Sequence, residues 1–171
     1  MFYTLNNNNK ILEYAIDSRL ESVTLDFFKR ENIFNYSLNK ELQINAKKRA
    51  LRSILIKEAA LEICNNLSIK KINYVLLKGT NFIDPIYNYS NRNIRDIDVL
   101  INISEIDKSI KIFEELGYSF SKKDTLISKK NTNNFIEYAN NEYNYDLPPM
   151  RNANGVCIEI HFKIFAKSFT D

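Results

Sequence analysis

The chain has 171 residues, which fits one compact domain of roughly 100–200 residues with at most a small appendage. Hydrophobic residues are 44%, charged residues 26%, and Gly and Pro three each, which excludes wholesale disorder and low complexity, while Lys+Arg 24 against Asp+Glu 21 (+3) is too balanced to mark a nucleic-acid or membrane binder by charge. No apolar run approaches the ~18–20 residues of a membrane helix, and Met1-Phe2-Tyr3-Thr4 does not open a signal peptide, so a soluble cytoplasmic protein without membrane contact is expected.

The first third reads helical. Ile11, Leu12, Ala15, Ile16 and Leu20 follow an i, i+3/i+4 rhythm that predicts an amphipathic helix over 8–20. A second short segment, 23–30, carries Leu25, Phe27 and Phe28. The longest pattern, about 37–67, strings Leu42, Ala46, Leu51, Ile54, Leu55, Ala59, Leu61 and Ile63 into one apolar stripe. Within it, Lys47, Lys48, Arg49 and Arg52 concentrate the positive charge, read first as a solvated helix face and otherwise as an RNA contact. Residues 1–70 thus form an N-terminal helical segment ahead of a core over 71–171.

From Lys71 the period changes. Tyr74-Val75-Leu76-Leu77 is a short apolar run that predicts a buried strand, ending in a turn at Lys78-Gly79. Residues 80–87 have room for two helical turns, limited by Pro85, before a polar loop over 88–95. Asp96 to Ile101 reads as a strand entering the core. Ser104 is placed to cap a helix over 105–116, and Gly117 to stop it. Weak strands are expected at 118–120, 125–128 and 135–138, a loop at 140–154 around Pro148-Pro149, and a clear strand over 156–165 after Gly155. The expected fold is α/β (α+β): a small mixed sheet with flanking helices behind the N-terminal helical segment.

The chemistry lies in the alternation of the two best strands. Asp96 and Asp98 point to one face, Ile97 and Val99 to the other; Cys157, Glu159 and His161 likewise share a face opposite Ile158 and Ile160. If the two strands are neighbours, Asp96, Asp98 and Glu159 converge. Three acids at one spot repel unless a cation joins them, and Mg²⁺, with Mn²⁺ as its substitute, is the natural partner of carboxylate oxygens and substrate phosphates. A single histidine excludes a multi-histidine zinc site within one chain, and two cysteines, Cys64 and Cys157, make no disulfide framework. Cys157 reads as a small apolar filler.

In order along the chain, Lys78-Gly79-Thr80 after an apolar strand, Tyr87, Arg95-Asp96-Ile97-Asp98-Val99-Leu100-Ile101, Leu116-Gly117-Tyr118 and Val156-Cys157-Ile158-Glu159-Ile160-His161 resemble the nucleotidyltransferase superfamily with the DNA polymerase β-type fold. The pattern is most similar to the uncharacterised nucleotidyltransferase family, over about residues 72–165. The resemblance implies that Asp96 and Asp98 hold the catalytic Mg²⁺ pair and, through it, the triphosphate of an NTP such as ATP. Glu159 would be the third carboxylate, as metal ligand or general base. Lys78, Gly79 and Thr80 would form the turn against the phosphates, with Arg95 and His161 as further contacts to the nucleotide. Tyr87 and Tyr89 would be placed to stack on a base. The implied reaction is transfer of a nucleoside monophosphate to an acceptor (small molecule, protein or RNA) with release of pyrophosphate.

Two departures stand beside this. The wider superfamily carries Gly-Ser or Gly-Gly where this chain has Lys78-Gly79-Thr80, and family members continue into further helices after the Glu-Ile-His strand. The acceptor-binding part would then be missing, or come from the N-terminal helices or another subunit (a partner or a second copy of the chain). They also leave room for a catalytically inactive nucleotidyltransferase-fold module acting in a complex, or for a phosphotransferase using another phospho-donor.

Overall fold

The computed structural model describes residues 3–33, 36–81, 94–121 and 144–164. The expected segments at 125–128 and 135–138, the loop at 88–93, and Tyr87 and Tyr89 lie outside these residues. The chain divides into two compact units, Met1–Ile54 with Ile83–Ile94, and Leu55–Phe82 with Arg95–Asp171. Among the described residues, no helix is long and apolar enough to cross a membrane.

The first unit holds α1 (Tyr3–Asp17), α2 (Glu21–Arg30) and the first half of α3 (Tyr36–Ile69). Ala15, Phe28, Leu38 and Leu42 form its buried cluster, flanked by Leu12 and Leu25. α1 ends before Leu20 because Arg19 adopts φ 59°, and the Leu20 amide closes back on the Ala15 carbonyl at 2.7 Å. Glu21 is 1% exposed and would be a costly isolated charge. Arg49 Nε meets it at 2.6 Å, while Arg49 Nη2 donates to the Ile16 carbonyl at 2.9 Å. One member of the basic group is therefore spent on an internal ion pair, whereas Lys47 and Lys48 are exposed.

The apolar stripe expected along α3 divides. Leu42, Ile56, Ala60, Ile63 and Leu67 are buried, but Leu51, Ile54, Leu55 and Leu61 are exposed. Leu38 and Leu42 face the core of the first unit, and Ile56, Ala60, Ile63 and Leu67, at 3–4 spacing, are buried in the second, whereas the interleaved row through Leu51, Ile54, Leu55 and Leu61 faces out.

In the second unit, α3 ends at Ile69; Lys71 turns left-handed at φ 57°, and the Ile72 amide bonds the Leu67 carbonyl at 2.9 Å. The chain then enters β1 (Tyr74–Leu76), the four-residue α4 (Lys78–Asn81) and β2 (Asp96–Ile101). After β2 the cap is Asn102, not Ser104: its side chain accepts from the Ser104 amide and leads a 3₁₀ turn, Ile103–Glu105, into α5 (Ile106–Glu115). Gly117, at φ 82°, ends that helix as expected. Then come β3 (Ser119–Phe120), β4 (Met150–Arg151) and β5 (Cys157–His161).

These strands make one mixed sheet in the order β1-β2-β5-β4-β3. The fold is thus the α+β class anticipated, with three corrections. Among the described residues β1 is an edge strand with Val75 half exposed, not a buried one. Within the supposed loop at 140–154, Met150 and Arg151 pair antiparallel with Ile158 and Cys157. The last strand closes at His161, short of 165. β2 and β5 are parallel neighbours with Asp96 opposite Cys157, Asp98 opposite Glu159, and Leu100 opposite His161. That register gives the sheet two unlike faces: Ile97, Val99, Ile158 and Ile160 are buried on one, and the acids lie on the other.

A candidate metal centre on the polar face of the sheet

Asp98 is the hub. It is 2% exposed, and its Oδ1 accepts from His161 Nε2 at 2.9 Å and from Lys78 Nζ at 2.6 Å. An ionised carboxylate is acceptor only, so the proton in the His161 contact sits on Nε2. Glu159 Oε2 lies 3.8 Å from Lys78 Nζ and 3.9 Å from His161 Nε2. The Asp98 and His161 side chains are 3% and 5% exposed, against 30% for Glu159 and 59% for Lys78, so the cluster has a closed inner end and an open outer one.

Local structure explains each placement. Parallel pairing puts Asp98 and Glu159 side by side on one face, and the two-residue period along β5 brings His161 to the same side. Lys78 arrives from the turn after β1, where the Leu77 amide bonds the Asp98 carbonyl at 2.9 Å and Lys78 itself takes φ 49°. This left-handed turn sends the side chain back over the sheet.

The electrostatics divide the two acids. Burial pushes the Asp98 carboxyl up, but the hydrogen bonds from His161 and Lys78, with their charges, outweigh it and hold the group below the ordinary range. Glu159 is held above its ordinary value, first by burial and then by the charges of Asp96 and Asp98, with Lys78 and His161 only partly offsetting them. The Lys78 ammonium is stabilised, chiefly by its hydrogen bond to Asp98.

Asp98, Glu159 and His161 each offer a ligand atom, and these atoms lie within 4.8 Å of one another. Two carboxylate oxygens and an imidazole nitrogen so close together suit a divalent cation, once His161 Nε2 gives up its proton to ligate. Asp96, expected as the first ligand, is half-buried on the same face two residues away; its charge acts on Glu159 and Lys78, but the tight group has His161 in its place. Arg95 is solvent-exposed at the start of β2, and Gly79 is half-buried in α4. The Thr80 side chain lies outside the described residues. Cys157 is buried on the acidic face with its thiol pushed up by burial, as suits an inert filler.

Sequence reasoning missed Asp146. It forms an antiparallel bridge with His161, framed by bonds from the Leu147 amide to the Ile160 carbonyl and from the Phe162 amide to the Tyr145 carbonyl. The Tyr145 ring stacks on the His161 ring with centroids 6.2 Å apart. Burial raises the Asp146 carboxyl, while the charges of His161 and Lys78 draw it down. The one sequence signal was the alternation Tyr145-Asp146-Leu147 at hairpin distance across Gly155 from the last strand.

The parallel pair β2 and β5 of a mixed sheet brings two acids and an imidazole together in an arrangement compatible with a divalent cation. The chain belongs to the uncharacterised nucleotidyltransferase family, whose family model matches residues 6–171. Neither the curated proteins nor the solved structures gave a match to this chain.

Proposed function

We propose that the protein is a Mg²⁺-dependent nucleotidyltransferase that moves a nucleoside monophosphate from an NTP to an acceptor hydroxyl or amine on a small molecule, a protein or an RNA. The observation carrying this reading is the Asp98–Glu159 register, which sets two carboxylates and His161 within one ion's reach on a face otherwise flanked by Asp96. Asp98 and Glu159 would hold the ion, with Asp96 and His161 completing its surroundings. When bound, the ion would neutralise charge developing on the phosphates.

The chain's own groups suit the remaining steps. The acceptor's lone pair attacks the α-phosphorus, the bond from that phosphorus to the bridging oxygen of the β-phosphate breaks, and pyrophosphate leaves. The acceptor's proton needs a base, and Glu159, at the open end of the cluster with its side chain 30% exposed, would take it where it does not itself ligate the ion. His161, gripped by Asp98 and stacked on Tyr145, would hold that carboxylate's orientation. Lys78 supplies positive charge on the open side, where a triphosphate would approach.

The test is incubation with α-labelled NTPs, Mg²⁺ and cell lysate. Wild type is expected to transfer label, and Asp96→Ala/Asp98→Ala to lose about 1000-fold of the rate, the equivalent of roughly 4 kcal/mol of transition-state stabilisation. Equal transfer by both proteins would overturn the assignment. One departure favours a second reading, a nucleotidyltransferase-fold module without catalysis: Lys78-Gly79-Thr80 stands where the wider superfamily carries Gly-Ser or Gly-Gly, and Lys78 already pairs with both acids. Calorimetry separates the two, because a module of that kind would bind no NTP in a Mg²⁺-dependent manner.

A further inference from the structure

Lys78 is placed where the cation of the proposed centre would act. Its Nζ bridges the two carboxylates intended for the ion, at 2.6 Å from Asp98 Oδ1 and 3.8 Å from Glu159 Oε2. A divalent ion ligated by the same two oxygens at about 2.0–2.6 Å would put two cations against one pair of anions. The two occupants exclude each other. The ammonium is also free to leave, since the Lys78 side chain is 59% exposed while the ligands stay inside. Its backbone need not follow, being pinned by the Leu77-to-Asp98 bond and the left-handed turn. A four-carbon arm on a fixed anchor can swing into water, giving up its part-buried pair with Asp98 and the longer contact to Glu159.

We infer that Lys78 is an exchangeable counter-ion: its ammonium closes the Asp98–Glu159 pair in the ion-free protein and is expelled when the divalent ion enters. This rests on the metal-dependent reading above and adds a role that reading does not require. Without such a group, Asp98 and Glu159 would face each other across a partly buried site with His161, at 2.9 and 3.9 Å, beside them. With it, the site is preformed before metal arrives, and metal binding releases a cation beside the position proposed for the triphosphate.

Two measurements on the full chain test this. Mn²⁺ binding, read by calorimetry or by electron paramagnetic resonance without nucleotide, is expected to tighten from about threefold to about tenfold in Lys78→Met and not in Lys78→Arg. In wild type, acetylation of Lys78 by an N-hydroxysuccinimide ester, mapped by mass spectrometry, is expected to rise when Mg²⁺ is added. Unchanged or weaker Mn²⁺ binding in Lys78→Met, or Lys78 labelling that stays level or falls with Mg²⁺, would overturn the counter-ion role alone, provided wild type binds Mn²⁺. Failure of both proteins to bind Mn²⁺ would remove the metal centre itself and the exchange with it. If Lys78→Met proves unstable, the labelling experiment on wild type decides.

Discussion

Replacing Asp98 by asparagine separates the site's chemistry from its architecture. The amide keeps the shape of the carboxylate, and its oxygen can still accept from His161 and Lys78. What disappears is the charge. A charge-assisted hydrogen bond contributes ~1.5–3 kcal/mol against ~0.5–1.5 for a neutral one, so the buried His161 contact loses about 1 kcal/mol. The Lys78 contact counts for less, because that side chain is 59% exposed and solvent screens it. Relief of the repulsion that raises Glu159 offsets part of the loss. The ion-free protein should therefore lose only about 1 kcal/mol, or roughly 2–4 °C in Tm for a chain of this size. Divalent-ion affinity, by contrast, should fall at least about 100-fold, more than loss of an outer-shell partner brings, since a ligand itself is changed. Differential scanning calorimetry with and without Mn²⁺ reads both. A variant that keeps wild-type ion affinity, or that falls more than about 10 °C without metal, would refute the reasoning: the first removes Asp98 from the centre and the second makes it a structural residue.

Glu159→Gln should behave with the opposite sign in the ion-free state. Its carboxylate is disfavoured by burial and by Asp96 and Asp98, so the variant should match or slightly exceed wild-type urea stability at neutral pH while losing metal binding; a clear loss of stability would refute this. pH separates the same two groups. Glu159 is raised above 4.5, so its ionised form costs stability at neutral pH, and that cost vanishes as pH falls through the raised value; Asp98 is lowered below 3.8, so its contribution is full above 3.8 and is lost as pH falls through the lower folded value. Urea midpoints of the ion-free protein should thus rise slightly on mild acidification before falling, with the rise smaller in Glu159→Gln, where the raised Asp146 still contributes, and Asp98's share of the fall absent in Asp98→Asn. In the first unit, Arg49→Met strands the buried Glu21 and should cost about 3 kcal/mol in urea unfolding, near the low end for broken buried pairs because Arg49 is 29% exposed; a loss under about 0.5 kcal/mol would show the pair idle.

The local elements could be read from composition and period because their causes are local. Alternation along Asp96–Ile101 and Cys157–His161 put each functional side chain on a face before any partner strand was known, and Gly117 marked the end of its helix. The apolar rows of α3 were harder: propensity made Leu51 and Leu61 equal to Ile56 and Ile63, and only packing chose between them. What no window of sequence contains is adjacency. The parallel register that sets Asp98 against Glu159 is a choice of strand order, and with it came His161 in place of Asp96 in the tight group, Asp146 from a segment read as loop, and the Lys78 ammonium drawn across both acids from a left-handed turn. Hydrophobic period is a property of a segment, whereas charge convergence is a property of distances between segments, and only the folded chain fixes those.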